Sequence, residues 1–336
     1  MKPSILQFKG CLIGQCLGDA LGFPVEGQNH EICHDYVLKY IAGSPDTMLG
    51  RAYFPFGQYT DDSQLARELM QDYVENDGTF NPESYANRIA AIFAEERIVG
   101  RGFATEQAAQ NLIKGVSWEE SGLPSPYAGN GSAMRAGPIG LFGFDDPEWL
   151  IKGAIAQGRI THADPRCKAG TVAIAGAVAL ALRVEKVEIT NFLGTLTNWV
   201  RPVDATVAQG LECLKDWLSF SPDAAAEEIA SFGCDPEYFD DRWDKISPFV
   251  VSSVLWSLYS FLRTPDNYLE TISTAIGVGG DVDTTAAMAG AISGAFLGIN
   301  AIPTNLSRQL NDQGNWRFDE LIALADQCYE LKMRGE

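Results

Sequence analysis

Apolar residues recur three or four positions apart along most of this chain, and stretches of strict alternation are scarce. In 62–74 (DSQLARELMQDYV), 82–97 (PESYANRIAAIFAEER), 106–116 (EQAAQNLIKGV), 147–158 (PEWLIKGAIAQG), 252–262 (SSVLWSLYSFL) and 318–333 (FDELIALADQCYELKM) that spacing lays one apolar face along a helix. Most of these segments follow Ser, Thr, Asp or Asn, or carry proline in the first turn, as helix starts do. The pattern predicts an all-α protein, a single-domain orthogonal bundle of about a dozen or more helices over residues 1–336.

Three other segments read as helices whose small residues form ridges. One carries Gly10, Gly14, Gly18 and Gly22 at four-residue spacing, a second runs from Gly170 through Gly176, and a third has Gly290, Gly294 and Gly298. Each glycine costs about 1 kcal/mol against alanine in a helix interior. Close approach of neighbouring backbones is the return that such ridges give. These three helices are therefore expected at the centre, with the amphipathic helices outside. The longest apolar run, 169–182 (AGTVAIAGAVALAL), is too short to span a bilayer and reads as a buried helix. Residues 221–248 mix polar, proline and aromatic positions, which predicts a surface excursion rather than a linker.

Composition narrows the partners. The 336 residues are 46% hydrophobic and 21% charged, enough apolar material for a large core. With 25 Lys and Arg against 44 Asp and Glu, the formal charge is −19. Nucleic acid and anionic membrane are repelled by such a surface, so an anionic ligand would need local positive potential, from metal ions or helix N-termini. The seven cysteines are odd in number, scattered and never spaced as CxxC, which suits a reduced, cytoplasmic protein. No signal peptide is read at the start of the chain.

Two acidic clusters carry the strongest chemical signal. In YTDDSQLARE, Thr60 stands at an N-cap position with Asp61 and Asp62 in the following first turn; in GGDVDTTAAM, Asp281, Asp283 and Thr284 open the third small-residue helix. A single first-turn aspartate only complements the helix dipole. Paired acids beside a hydroxyl, occurring twice, fit hard cations that want oxygen ligands. Glu26, in GDALGFPVEG, is either a solvated loop residue or a third acid turned back over the site. The Gly129, Asn130, Gly131 turn, with a helix expected from about Ser132, offers backbone N–H groups to a phosphate, and Gly100 and Gly102 form a second Gly-x-Gly turn. His162 precedes the second small-residue helix and is a candidate ligand contact. HEICH (30–34) fits the zinc-protease pattern HExxH, but no third ligand follows at a usual distance, and no zinc site is expected there.

Taken in order, GCLIGQCLGDALGFPVEG, YTDDS, GNGSAMRAGP, a His before a small-residue helix and GGDVDTTAAMAGAISGAFLG resemble the ADP-ribosylglycohydrolases, over residues 10–298. The resemblance implies an all-α bundle with a binuclear Mg²⁺ or Mn²⁺ site. It implies that Thr60, Asp61 and Asp62 ligate one ion, that Asp281 and Thr284 serve the other, and that Asp283 is shared. It makes Glu26 and Asp62 the candidate proton-transfer groups. Gly129, Asn130, Gly131, Ser132, Met134 and His162 match segments that hold ADP-ribose, with Arg135 and helix N-termini expected at the pyrophosphate. Val282 and Ser63 depart from common residues at positions without a ligand role. The activity implied is release of ADP-ribose from a modified protein side chain or related acceptor. A catalytically silent ADP-ribose-binding or structural relative and a two-metal phosphohydrolase are the alternatives.

Overall fold

Two helices whose glycine backbones lie against each other form the axis of the protein. In the computed structural model, which describes residues 2–43, 47–235 and 242–334, helix α1 (Ile5–Gly22) lies against helix α14 (Val282–Leu297). A methyl group added at Gly14 would sit 2.4 Å from the carbonyl oxygen of Gly290, and one at Gly10 2.2 Å from that of Gly294. Backbone meets backbone along the ridge that the four-residue spacing predicts.

Around this axis run α2 (His30–Tyr36), which passes into a π turn at Val37–Ile41, α3 (Asp61–Glu75), α4 (Pro82–Ala94), α5 (Phe103–Ile113) and α6 (Gly137–Gly143). Then come α7 (Pro147–Arg159), α8 (Pro165–Ala181), α9 (Ile189–Val200), α10 (Ala205–Trp217) and α11 (Pro222–Ser231). The chain closes with α12 (Val250–Arg263), α13 (Tyr268–Gly277), α14, the single turn α15 (Thr304–Ser307) and α16 (Phe318–Arg334). Among the described residues, β pairing is limited to isolated bridges. The bundle is all-α, as the periodicity predicts.

All six amphipathic segments are helices. Their starts carry the expected chemistry: Asn81 accepts hydrogen bonds from Glu83 and Ser84 N–H, and Asp146 from Trp149 N–H. The second small-residue helix, α8, is buried along nearly its whole length and packs against α6, α7, α9, α12 and α14. No helix among the described residues is long and apolar enough to cross a membrane. Of the excursion at 221–248, residues 222–231 form α11, while 236–241 lie outside the described residues.

One local expectation fails. No helix begins at Ser132: residues 131–135 form a hydrogen-bonded turn, with Ala133 and Met134 N–H both donating to the Asn130 carbonyl. The helix starts only at Gly137, because Pro138 suits its first turn and has no N–H to give the Met134 carbonyl, which accepts from Gln15 Nε2 at 3.0 Å instead.

Candidate active site

At one end of the α1–α14 seam the two helix starts that carry acids come together. Thr60 holds the N-cap position of α3, but its hydroxyl makes no capping bond; it lies 3.0 Å from Asp19 Oδ1 and 3.0 Å from Asp62 Oδ2. From the facing helix, Thr284 Oγ1 reaches Asp62 Oδ2 at 3.4 Å. Asp283 Oδ1 accepts from Thr284 N–H at 2.9 Å, and Asp281 Oδ2 accepts from Asn130 Nδ2 at 2.5 Å. Two groups of carboxylates, Asp19 with Asp62 and Asp283, and Glu26 with Asp281 and Asp283, each bring one oxygen per residue within 4.8 Å of the others.

Backbone pairing brings Glu26 to this place. The turn after α1 is zipped to the start of α14 by Gly27 N–H donating to the Gly280 carbonyl (2.9 Å) and Gly280 N–H to the Gln28 carbonyl (3.0 Å). Gly280 has φ of +94°, and a Cβ there would sit 2.0 Å from the Ile246 oxygen, so no other residue fits. Glu26 is paired with Arg51, whose Nη1 also donates to the Phe23 carbonyl at 3.0 Å. It is therefore the third acid, not a solvated loop residue.

The acids floor a cleft of about 500 Å³. One wall is 100–105, where Gly100, at φ of +74°, passes so close that a Cβ would lie 2.8 Å from Asp61 Oδ1. Next to it the wall continues as 126–131 with His162 and Arg166, and 247–249 joins it through Asn130 N–H to the Pro248 carbonyl (2.9 Å) and Val250 N–H to the Ala128 carbonyl (2.9 Å). The residues singled out in the sequence thus line one cleft, with three exceptions, among them Arg135. Thr60 is buried behind Asp61 and Asp62, and Ser132 is buried against Thr171, whose hydroxyl donates to it at 3.0 Å.

The sequence profile of the ADP-ribosylglycohydrolases matches residues 2–336. The chain belongs to the ADP-ribosylglycohydrolase family. It is 30% identical to an uncharacterised protein of Archaeoglobus fulgidus over 98% of this chain and 97% of that one. It is 30% identical to the ADP-ribosylhydrolase ARH3 of Xenopus tropicalis over 91% of each chain. The solved structure of an ADP-ribosylglycohydrolase-related protein complex shares its fold, with a TM-score of 0.68 at 24% identity, covering 98% of this chain and 99% of that one. By family the protein is an enzyme, an ADP-ribosylglycohydrolase.

Burial and crowding dominate the electrostatics of this glycohydrolase's cleft. Burial, then neighbouring carboxylates, holds Asp61, Asp62 and Asp283 well above the usual carboxylate range. Asp281 is pushed up to about 6 by burial and by Glu26. Asp19, buried completely, is pushed up to about 7, although hydrogen bonds from Thr60 and Ser63 pull the other way. His162 goes the opposite way, lowered to about 3 by burial and by Arg135, so its ring is neutral at ordinary pH.

The donor set fits hard cations. All the converging atoms are carboxylate or hydroxyl oxygens, and Asp62 Oδ1 is buried with no hydrogen-bond partner. Thr60 has one hydroxyl proton for two carboxylates at equal distance, a shortfall that a shared carboxyl proton meets in the metal-free fold and a cation would meet when bound.

Sequence reasoning missed Asp19. Its carboxylate accepts from Thr60 N–H and Oγ1 (3.0 Å each) and from Ser63 N–H and Oγ (3.1 and 2.6 Å), fastening the start of α3 to α1. The signal was an acid set in an otherwise small and apolar helix. Arg135 corrects another expectation. It is fully buried behind the 129–131 turn and does not line the cleft, so it does not meet a pyrophosphate there. In HEICH, His30 Nε2 lies 3.7 Å from Asp223 Oδ1, and among the described residues no group of three close ligand atoms includes either histidine.

Proposed function

We propose that this enzyme hydrolyses the glycosidic bond between ADP-ribose and a modified protein side chain or related acceptor, with two Mg²⁺ or Mn²⁺ ions. The observation that carries the reading is the meeting of Asp61 and Asp62 with Asp281, Asp283 and Thr284 on the floor of the cleft. Thr60, Asp61, Asp62 and Asp283 would hold one ion, and Asp281, Asp283, Thr284 and Glu26 the other. Bound there, the ions supply fixed positive charge to sugar hydroxyls and to a reacting water.

The chain's own groups do the rest. Glu26, the one partly exposed carboxylate of the cluster, can exchange protons with solvent, so it takes the proton from the attacking water or passes it to the leaving group. Asp62, buried and close to two hydroxyls, is better suited as a ligand. Gly100, Gly102, Gly129 and Gly131 let backbone come close to the ligand, and Asn130 orients Asp281. The exposed rings of Phe103 and Tyr127 stand 5.8 Å apart at the cleft wall, an apolar end for a base. Seven cysteines without a disulfide suit a reducing compartment, and we place the enzyme in the cytoplasm.

The test is product analysis on arginine- and serine-ADP-ribosylated substrates, with and without EDTA. Free ADP-ribose should appear, stop on chelation, and fall at least about 10³-fold in Asp61→Ala and Asp283→Ala. AMP with ribose 5-phosphate would establish a phosphohydrolase instead, and release that ignores both EDTA and the substitutions would end the metal reading.

A further inference from the structure

A buried arginine without a carboxylate partner needs a reason, since an unpaired interior charge is costly. Arg135 is fully buried, and its three hydrogen bonds go to neutral acceptors: Gln157 Oε1 at 2.7 Å, the Gly131 carbonyl at 2.9 Å and Thr161 Oγ1 at 2.7 Å. Thr161 Oγ1 in turn lies 2.8 Å from His162 Nδ1.

The direction of this chain is forced. A guanidinium has only donors, so Thr161 Oγ1 must accept from it. Oγ1 keeps a second lone pair, but its own proton meets no other acceptor among the described residues, so it is donated to His162 Nδ1, which accepts. A neutral imidazole with an accepting Nδ1 carries its proton on Nε2. That nitrogen belongs to the cleft wall, where no acceptor among the described residues meets it. The same arginine holds the Gly131 carbonyl, and the ring lies so close over this turn that a Cβ on Gly131 would sit 2.8 Å from His162 Cε1.

We propose that Arg135, acting through Thr161, is a positioning residue that locks His162 as the neutral Nε2–H tautomer and presents it as a hydrogen-bond donor to an oxygen of the ligand in the cleft. The role of the cleft rests on the reading above, but the tautomer does not. A neutral donor suits an oxygen-rich ligand in so acidic a protein: it can bond a phosphate or ribose oxygen and cannot be captured as a cation by the carboxylates of the floor.

The chain has three histidines, which makes the test direct. In protein labelled with ¹⁵N-histidine, long-range ¹H–¹⁵N correlation should show one ring, His162, held as neutral Nε2–H from about pH 5 to 8. Thr161→Ser should keep that pattern. Thr161→Val should let the Nδ1–H form appear and raise KM for an ADP-ribosylated substrate about tenfold with kcat within twofold, the cost of one hydrogen bond. An Nδ1–H or protonated His162 in the unaltered enzyme, an unchanged tautomer in Thr161→Val, or an unchanged KM once the tautomer has shifted would overturn the proposal. Should Thr161→Val fail to fold, the spectra of the unaltered enzyme and of Thr161→Ser decide the tautomer alone. Absence of ADP-ribose release by the unaltered enzyme would count against the reaction, leaving the spectral result to stand or fall separately.

Discussion

The same two helices build the most and the least comfortable regions of this molecule. Along the seam, α1 and α14 touch through glycine backbone, with the Gly14 carbonyl also accepting from the Tyr268 hydroxyl at 2.7 Å. At its end, Asp19 and Asp283 from these helices face Asp62, three buried acids whose charges repel. The seam gives up helix propensity and recovers it in close packing. The cluster gives up stability, and the hydrogen bonds that Thr60 and Ser63 give Asp19 return only part of it in the metal-free fold. A site that holds unfavourable charge in place needs rigid elements behind it, and the seam is that support.

The largest expected effect attacks the seam. Gly294→Ala places a Cβ 1.9 Å from the Gly10 carbonyl oxygen, where only backbone could move. It should lower unfolding free energy by about 3 kcal/mol in a denaturant titration. An unchanged midpoint would mean that the helices can separate cheaply and that the seam is no rigid support.

A change in the cluster should act with opposite sign. Asp283→Asn keeps an acceptor for Thr284 N–H and removes one of the crowded charges. The metal-free protein should gain about 1 kcal/mol, with loss of ADP-ribose release. A loss of stability would show that the carboxylates are already well compensated and that the two regions do not differ as argued.

The smallest effect is in pH. Asp281, at about 6, and Asp19, at about 7, lie above the ordinary aspartate value, so the metal-free fold binds more protons than the unfolded chain as pH falls. Their contribution is fully present below the unfolded value and is lost as pH rises through 6 to 7. The metal-free protein should melt higher at about pH 5 than at about pH 8, and added Mg²⁺ or Mn²⁺ should narrow the gap. A melting temperature that rises with pH would contradict the assignment of strained, proton-sharing carboxylates.

Much of the fold was legible in the sequence because its signals are local. Helix periods of α3, α4 and α16, the N-caps at Asn81 and Asp146, and the four-residue glycine ridge each depend on residues within a turn or two of one another. The helix expected at Ser132 stops because Pro138 has no N–H for the Met134 carbonyl, which Gln15 from α1 takes instead, a competition that residue types alone do not reveal. Asp19 went unnoticed because an acid inside a helix carries no periodic signal of what it faces. Arg135 misled for the converse reason: a charge in a glycine-rich motif suggests a ligand, while burial turned it toward Thr161 and Gln157.

By itself the sequence determined the all-α class, the glycine ridges at the centre and the acids in the first turns of two helices, since hydrogen-bonding period, steric bulk and helix-start chemistry act over short stretches of chain. Only the tertiary structure decided that Asp62 and Thr284, 222 positions apart, share one floor, that Glu26 is folded back beside them, and that Arg135 stands behind His162 rather than in the cleft. Contacts of that range depend on which helix faces come together, and that is fixed by the close approach of α1 to α14.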